Sequence, residues 1–221
     1  MQPIDAILFE PVGCLAEFGA DDFDVMIARI FGQRVACGRS GSEAYWEFLN
    51  LLDGHLDRLT ARDLASIEQY QMEAVARARV YEDVAPALAE LKTLGIISIV
   101  TSSLSARAVA RFLDKCSIAG LVSEVWNFDT AGGVKHAPLV RAVAARALIP
   151  ERVIFITDTA EGLRTAKKAG VNAILMMNDP DEAMKLTAHQ PAGGIVSLHE
   201  LPDFVRFVTA QRDRQGAPRT K

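Results

Sequence analysis

Ile7-Leu8-Phe9-Glu10-Pro11-Val12-Gly13-Cys14-Leu15 is the stretch on which the reading of this chain turns. The short apolar run from Ile4 to Phe9 predicts a buried strand, stopped by the Pro and Gly that follow. Glu10 stands where that strand ends. The carboxyl ends of strands are where α/β sheets place their ligands. The plain alternative is a strand followed by a surface turn, and the rest of the chain has to choose between them.

Working outward, residues 16 to about 80 carry helical spacing and no strand signal. Asp21, Asp22 and Asp24 precede Val25, Met26, Ile27, Ile30 and Phe31; a second helix restarts at Ser42 and stops near Gly54; a third starts at Thr60. The aromatic group Tyr45, Trp46 and Phe48 reads as the packed core of this helical unit. From Val80 onward helices and strands alternate. The expected helices are Asp83 to Leu94 (ended by Gly95), Ser105 to Cys116, Ala137 to Leu148, Ala160 to Ala169, Asp181 to His189 and Leu198 to Ala210. The expected strands are Ile96 to Val100, Leu121 to Phe128, Arg152 to Ile156, Asn172 to Met177 and Gly194 to Ser197. Such alternation means βαβ units and a parallel sheet covered on both faces. The fold expected is therefore α/β, a doubly wound, Rossmann-like parallel sheet over residues 1–15 and 80–221, with a helical cap domain over 16–79 inserted after the first strand. The polar tail from Gln211 is expected to fray.

That plan gathers Glu10, Thr101 and Asp158 at three strand ends beneath one helical insertion. Composition excludes other classes of function. With 24 basic and 28 acidic residues the net charge is −4, which gives no electrostatic reason to bind nucleic acid or an anionic membrane. No apolar run is long enough to span a bilayer. Cys14, Cys37 and Cys116 are odd in number and show no metal spacing, so reduced thiols in a cytoplasmic protein are expected. The start of the chain has no basic and apolar leader pattern.

In this order and spacing the motifs resemble the haloacid dehalogenase superfamily over essentially the whole chain. The likeness is carried by Val80-Tyr81-Glu82-Asp83-Val84, the Leu94-Gly95-Ile96 turn, the strand into Thr101-Ser102, Lys135-His136-Ala137-Pro138, and Ile154 through Gly170. The resemblance implies four catalytic motifs. Thr101 matches the residue that binds the transferring group's oxygens, Lys135 the charge-neutralising lysine, and Asp158 the first acid of the metal-binding pair. An anion pocket of Gly13, Thr101, Ser102 and Lys135 follows, as does Mg²⁺ held by Glu10, the Val12 carbonyl and Asp158, with a small anionic metabolite as the partner.

The departures lie at the points of chemistry. Glu10 stands in place of the nucleophilic Asp, Val12 in place of the phosphatases' second Asp, Cys14 in place of a Thr, and Gly162 in place of the last metal acid, with Glu161 beside it. One extra methylene displaces the carboxylate, and a misplacement of about 1 Å can cost roughly 10²-fold in an oriented reaction. Val12 cannot act as general acid or base, a loss of about 10²–10⁴-fold. Dehalogenases of the superfamily carry Tyr at the Val12 position and use no metal. Its phosphonate hydrolases use a cap lysine, and residues 16–80 contain none, the first lysine being Lys92. Two readings follow: a hydrolase fold with impaired or lost catalysis that retains an anion pocket, or an active phosphatase or 2-haloacid dehalogenase with Glu10 as nucleophile.

Overall fold

The apolar run becomes strand β1 (Ala6–Phe9), fully buried at the centre of a parallel sheet. In the computed structural model, which describes residues 3–34 and 38–216, seven further strands follow. They are β2 (Ala16–Glu17), β3 (Arg79–Val80), β4 (Ile97–Thr101), β5 (Glu124–Trp126), β6 (Val153–Thr157), β7 (Asn172–Met176) and β8 (Gly193–Ile195). Six of the eight strands form the main sheet, in the order β5-β4-β1-β6-β7-β8, every pair parallel. The chain leaves β1 towards β4 on one side and later returns to β6 on the other. The strand order therefore reverses at β1, and the crevice at such a switch point is the ligand position of open α/β sheets. Phe9 is in register with Val100 on one side and Ile156 on the other, which puts Glu10 level with Thr101 and Thr157.

Side chains alternate across β1 as the pleat requires. Ile7 and Phe9 join a core with Leu88, Leu91, Phe112 and Leu201, while Ala6 and Leu8 join the opposite one with Leu139, Leu163 and Ala166. Helices Val84–Thr93, Ala106–Lys115 and Glu200–Gly216 belong to the first face; Ala137–Ala145, Ala160–Ala169 and Pro180–Leu186 belong to the second.

Between β2 and β3 lie three helices, Ala20–Phe31, Gly41–His55 and Ala61–Arg77. The last two start at side-chain caps, Ser40 with Glu43 and Thr60 with Asp63, each a reciprocal capping box. Phe23, Tyr45, Phe48 and Leu49 extend the first core without a break into this segment. Its C-terminal root is held from the main body. The Lys115 ammonium donates to the carbonyls of Val75, Ala76 and Ala78 at 3.0, 2.8 and 2.6 Å, neutralising a helix C-terminus.

The elements differ from expectation mainly at their ends. The segment from residue 16 does hold strand: β2 and β3 pair antiparallel as Ala16 with Val80 and Glu17 with Arg79, closed by a Glu17–Arg79 ion pair. Two residues are too few to show a period of two. The strand expected to reach Phe128 stops at Trp126, because Asn127 caps a short helix, Phe128–Ala131, through the amides of Asp129 and Thr130. The last strand ends at Ile195, where the Ser197 side chain turns to Asp83. The final helix runs on to Gly216 rather than fraying from Gln211. Cys37, residues 1–2 and residues 217–221 lie outside the described residues.

The turn after β1 depends on Gly13. Its φ is 79°, and a methyl group there would overlap the Asp158 carboxylate and the Ser42 hydroxyl. Gly13→Ala is expected to lower unfolding stability by ~2 kcal/mol or more, through both left-handed strain and collision. Urea denaturation of the two proteins measures it.

Candidate functional site

Glu10 follows β1 directly and is 6 % exposed. Its Oε1 accepts hydrogen bonds from the Ser102 hydroxyl at 3.1 Å and from the Tyr45 phenol at 3.4 Å. Burial pushes its carboxyl up to about 8, against the pull of Ser102 and the Val12 amide. A carboxyl in that range holds its proton at neutral pH, which is the wrong state for a nucleophile. Tyr45 comes from helix Gly41–His55. Its oxygen also accepts from the Ser103 amide at 3.1 Å, so the inserted segment closes directly on the edge of β1 and on the loop after β4.

The other expected residues are not gathered around one opening. Thr101 is 2 % exposed and its Oγ1 has no partner among the described residues. Ser102 is spent on Glu10 and on the Leu104 amide, at 3.2 Å. Lys135 adopts φ 62°, donates its backbone N–H to the Ser103 hydroxyl at 2.7 Å, and sends its ammonium to Asp53 of the inserted segment at 3.3 Å. The Gly13 carbonyl accepts from Asn178 at 2.7 Å and from the Tyr81 phenol at 3.5 Å. Cys14 is a packed thiol, pushed up by burial, with Sγ 3.5 Å from the Ile156 carbonyl.

Asp158 is the expected residue that faces open space. It lines a cleft of about 620 Å³ with Gly13, Ser42, Tyr81, Asn178 and Glu182. Its Oδ2 accepts from the Ser42 hydroxyl at 2.5 Å and from the Asn178 amide at 3.3 Å. Burial, with a smaller contribution from the charge of Glu182, raises its carboxyl to about 6 against the pull of Ser42 and Asn178. A wider hollow of about 870 Å³ continues past Arg39, Glu43, Glu47, Glu161 and Lys185. Glu10, Thr101 and Lys135 line neither space.

These residues do not fit the expected Mg²⁺. At Gly162, where the last acid would stand, an added Cβ would overlap the Thr157 hydroxyl, so the place of that carboxylate is already filled. The neighbouring Glu161 is paired with Arg164 at 2.5 Å. Val12 can offer only its backbone carbonyl, its side chain being apolar and buried, and Glu10 Oε1 already serves two hydroxyl donors. Among the described residues no three His, Cys, Asp or Glu side chains group as a metal site. Mg²⁺ prefers near-octahedral oxygen with one or two ionised carboxylates, which Asp158 alone barely begins.

Four residues of the site escaped the reading of the sequence. Tyr45 counted only as core, and it is indeed fully buried, but its hydroxyl works at Glu10. Ser42 carried no signal, because the turn that brings it to Asp158 is tertiary. Thr157 ends β6 and Asn178 lies two residues beyond β7, so the strand-end rule could have found both.

The raised Glu10 carboxyl has a consequence for stability. The folded chain keeps a proton that the unfolded chain releases above about pH 4.5, so this group costs stability progressively as pH rises from there to about 8, by roughly 1.4 kcal/mol per pH unit at most. Glu10→Gln removes that slope. Urea unfolding at pH 5, 6.5 and 8 is expected to show the variant gaining on the wild type with each step upward.

Comparison with known proteins agrees with the geometry. Residues 38–176 match the family of haloacid dehalogenase-like hydrolases. Two curated relatives are enolase-phosphatases E1. One, from Frankia alni, is 28 % identical over 116 residues, and one, from Xenopus tropicalis, is 29 % identical over 129 residues. These stretches cover 51 % and 57 % of this chain and 49 % of each relative, so the chain spans about half the length of the curated relatives it matches. Among solved structures, a haloacid dehalogenase-like family hydrolase from Streptococcus pneumoniae aligns with a TM-score of 0.68 at 16 % identity, over 91 % of this chain and 98 % of that one. L-2-haloacid dehalogenase from Xanthobacter autotrophicus, with chloropropionic acid covalently bound, aligns at 0.64 and 17 % identity, over 92 % and 98 %. No described helix is long and apolar enough to cross a membrane. A sheet reversing at β1, a carboxyl residue at that point, three helices inserted behind it and a family match over residues 38–176 place the chain among the haloacid dehalogenase-like hydrolases.

Proposed function

We propose that this member of the family no longer turns over phosphate esters or 2-haloacids, and that it acts by binding. The observation that carries this reading is the closed Glu10: a buried carboxyl capped by Tyr45 and Ser102, lining neither of the two large open spaces. A nucleophile must be ionised and within reach of its substrate, and Glu10 meets neither condition. Two independent changes point the same way. Val12 removes the proton carrier of a phosphatase, and Thr157 fills the space a second metal acid would need. Phosphatase and dehalogenase are the activities named for the relatives and neighbours. Here the nucleophile, the proton carrier and the last metal acid are replaced, and of the matching residues Thr101 is buried and Lys135 paired with Asp53, leaving Asp158 open.

In this reading residues 16–79 act as a cap over a core of 1–15 and 80–221, and the cap is held down by contacts with the catalytic positions themselves. The expected anion pocket loses support at the same time. Thr101 is sealed, Lys135 is committed to Asp53, and the Asp158 cleft is lined by Glu17, Asp158, Asp179 and Glu182 against Arg39 and Arg79. A small metabolite would enter beside Asp158 rather than over Glu10.

The test is an assay with Mg²⁺ on p-nitrophenyl phosphate and on 2-chloropropionate. The wild type is expected to stay at background. The family's motif is restored by Glu10→Asp, Val12→Asp and Gly162→Asp together with Thr157→Gly, since an acid at 162 needs the threonine removed. That variant is expected to gain phosphatase turnover. Wild-type turnover of about 1 s⁻¹ or more, in the ordinary enzyme range, would overturn the proposal.

A further inference from the structure

A separate cavity of about 190 Å³ lies in the seam between the inserted helices and the sheet edge. It shares no lining residue with the Asp158 cleft or the hollow beyond it. Its walls are apolar: Leu52 and Leu64 and Ile67 from the inserted helices, Phe128 from the other side. Its neutral polar lining is Gln71, Ser103 and Ser105, all more than nine-tenths buried, with Glu68 and Asp129 also on its wall.

Gln71 is the informative residue. It is 2 % exposed, and its carbonyl oxygen accepts the Ser105 N–H at 2.8 Å, which fixes the amide's orientation. Its amide nitrogen donates no hydrogen bond to the described residues and is not sealed from the cavity that the side chain lines. Amide groups in folded interiors are almost always paired, so this donor takes its acceptor from whatever fills the cavity. The hydroxyls of Ser103 and Ser105 already accept, from the Lys135 and Ala108 amides, and each retains a proton to give. No basic residue lines the space. The two acids that do, Glu68 and Asp129, are engaged with Arg107 and with the Ala106 amide. Donors among apolar walls, with carboxylates alongside, suit a neutral acceptor and repel an anion.

Size narrows the class further. An apolar cavity of about 150 Å³ holds benzene, so this one accommodates a single ring with one substituent. Water alone fills it poorly, since each molecule needs two to four polar partners and most of the wall offers none.

We propose that this seam cavity binds a small, uncharged, ring-sized molecule carrying one hydrogen-bond acceptor, such as a cyclic ketone. The site is independent of whether Glu10 turns over any substrate. It does touch the closed carboxyl indirectly: the Ser103 N–H bonds the Tyr45 oxygen, and Tyr45 bonds Glu10. A molecule seated against Ser103 therefore lies next to the contact that keeps the inserted helices shut.

The experiment is a titration of the ¹⁵N-labelled full chain with cyclohexanone, with cyclohexanecarboxylate as the charged counterpart. It is repeated on Ala65→Trp, which puts an indole at the rim from an exposed position and leaves the core unchanged. The expected result is a saturable shift of the Gln71 side-chain amide and of the Ser103 and Ser105 amides with the ketone, at least tenfold weaker in the variant, and no saturation with the carboxylate. A non-saturating response to the ketone, equal binding by Ala65→Trp, or equal binding of the carboxylate would each overturn the assignment.

Discussion

A carboxyl group buried without a cation is the constraint around which this molecule is arranged. Glu10 occupies the point where the sheet reverses direction, the one position in the fold most exposed to ligand by topology. Yet it is covered by a phenol from a different part of the chain. Removing a carboxylate from water is costly unless it is paired or protonated, and the surroundings here supply hydroxyls rather than charge. The charge itself is therefore given up. The contacts that satisfy the neutral acid also bring helix Gly41–His55 down onto the sheet edge, so the same hydrogen bonds that settle one side chain decide how the two halves of the chain meet.

Thr157 and Gly162 are sterically coupled. Thr157 ends β6 and its hydroxyl lies over the backbone of Gly162, which has no side chain to refuse it. The neighbouring Thr159 caps the following helix through the Gly162 amide at 3.1 Å. The position expected for a metal-binding acid is here part of an ordinary helix start. Packing on this side is complete without any bound group, which distinguishes it from the Glu10 side, where the Thr101 hydroxyl is left without a partner.

Most of the fold could be read from residues alone, because buried parallel strands and amphipathic helices announce themselves by period and by their stops. Helix Ala160–Ala169 matches its expected bounds and most other expected helices from Val84 onward lie within about three residues of theirs, but the last runs six residues past Ala210 and the short helix Phe128–Ala131 was not expected. The two-residue ribbon β2–β3 was invisible for want of length. The site was legible in its positions but not in its directions. Glu10, Thr101 and Asp158 do stand at neighbouring strand ends, as the motif order implied. That Lys135 turns to Asp53, or that Ser42 reaches Asp158, depends on how the inserted helices settle, and no local pattern encodes a contact 116 residues apart. Residue type placed Tyr45 in the core correctly and concealed its hydroxyl.

Lys115 gives the closure its time scale. Its ammonium ties three carbonyls at the root of the inserted segment, while Tyr45 and Ser42 fasten the far side of that segment to Glu10 and Asp158. A hinge held at both ends does not swing; it opens by breaking charge-assisted bonds together with part of a shared core, an event that belongs to local unfolding rather than to loop motion. Whatever sits in the seam beneath the inserted helices would leave at that slow rate. Long residence would then arise from how the protein is fastened rather than from how tightly it grips.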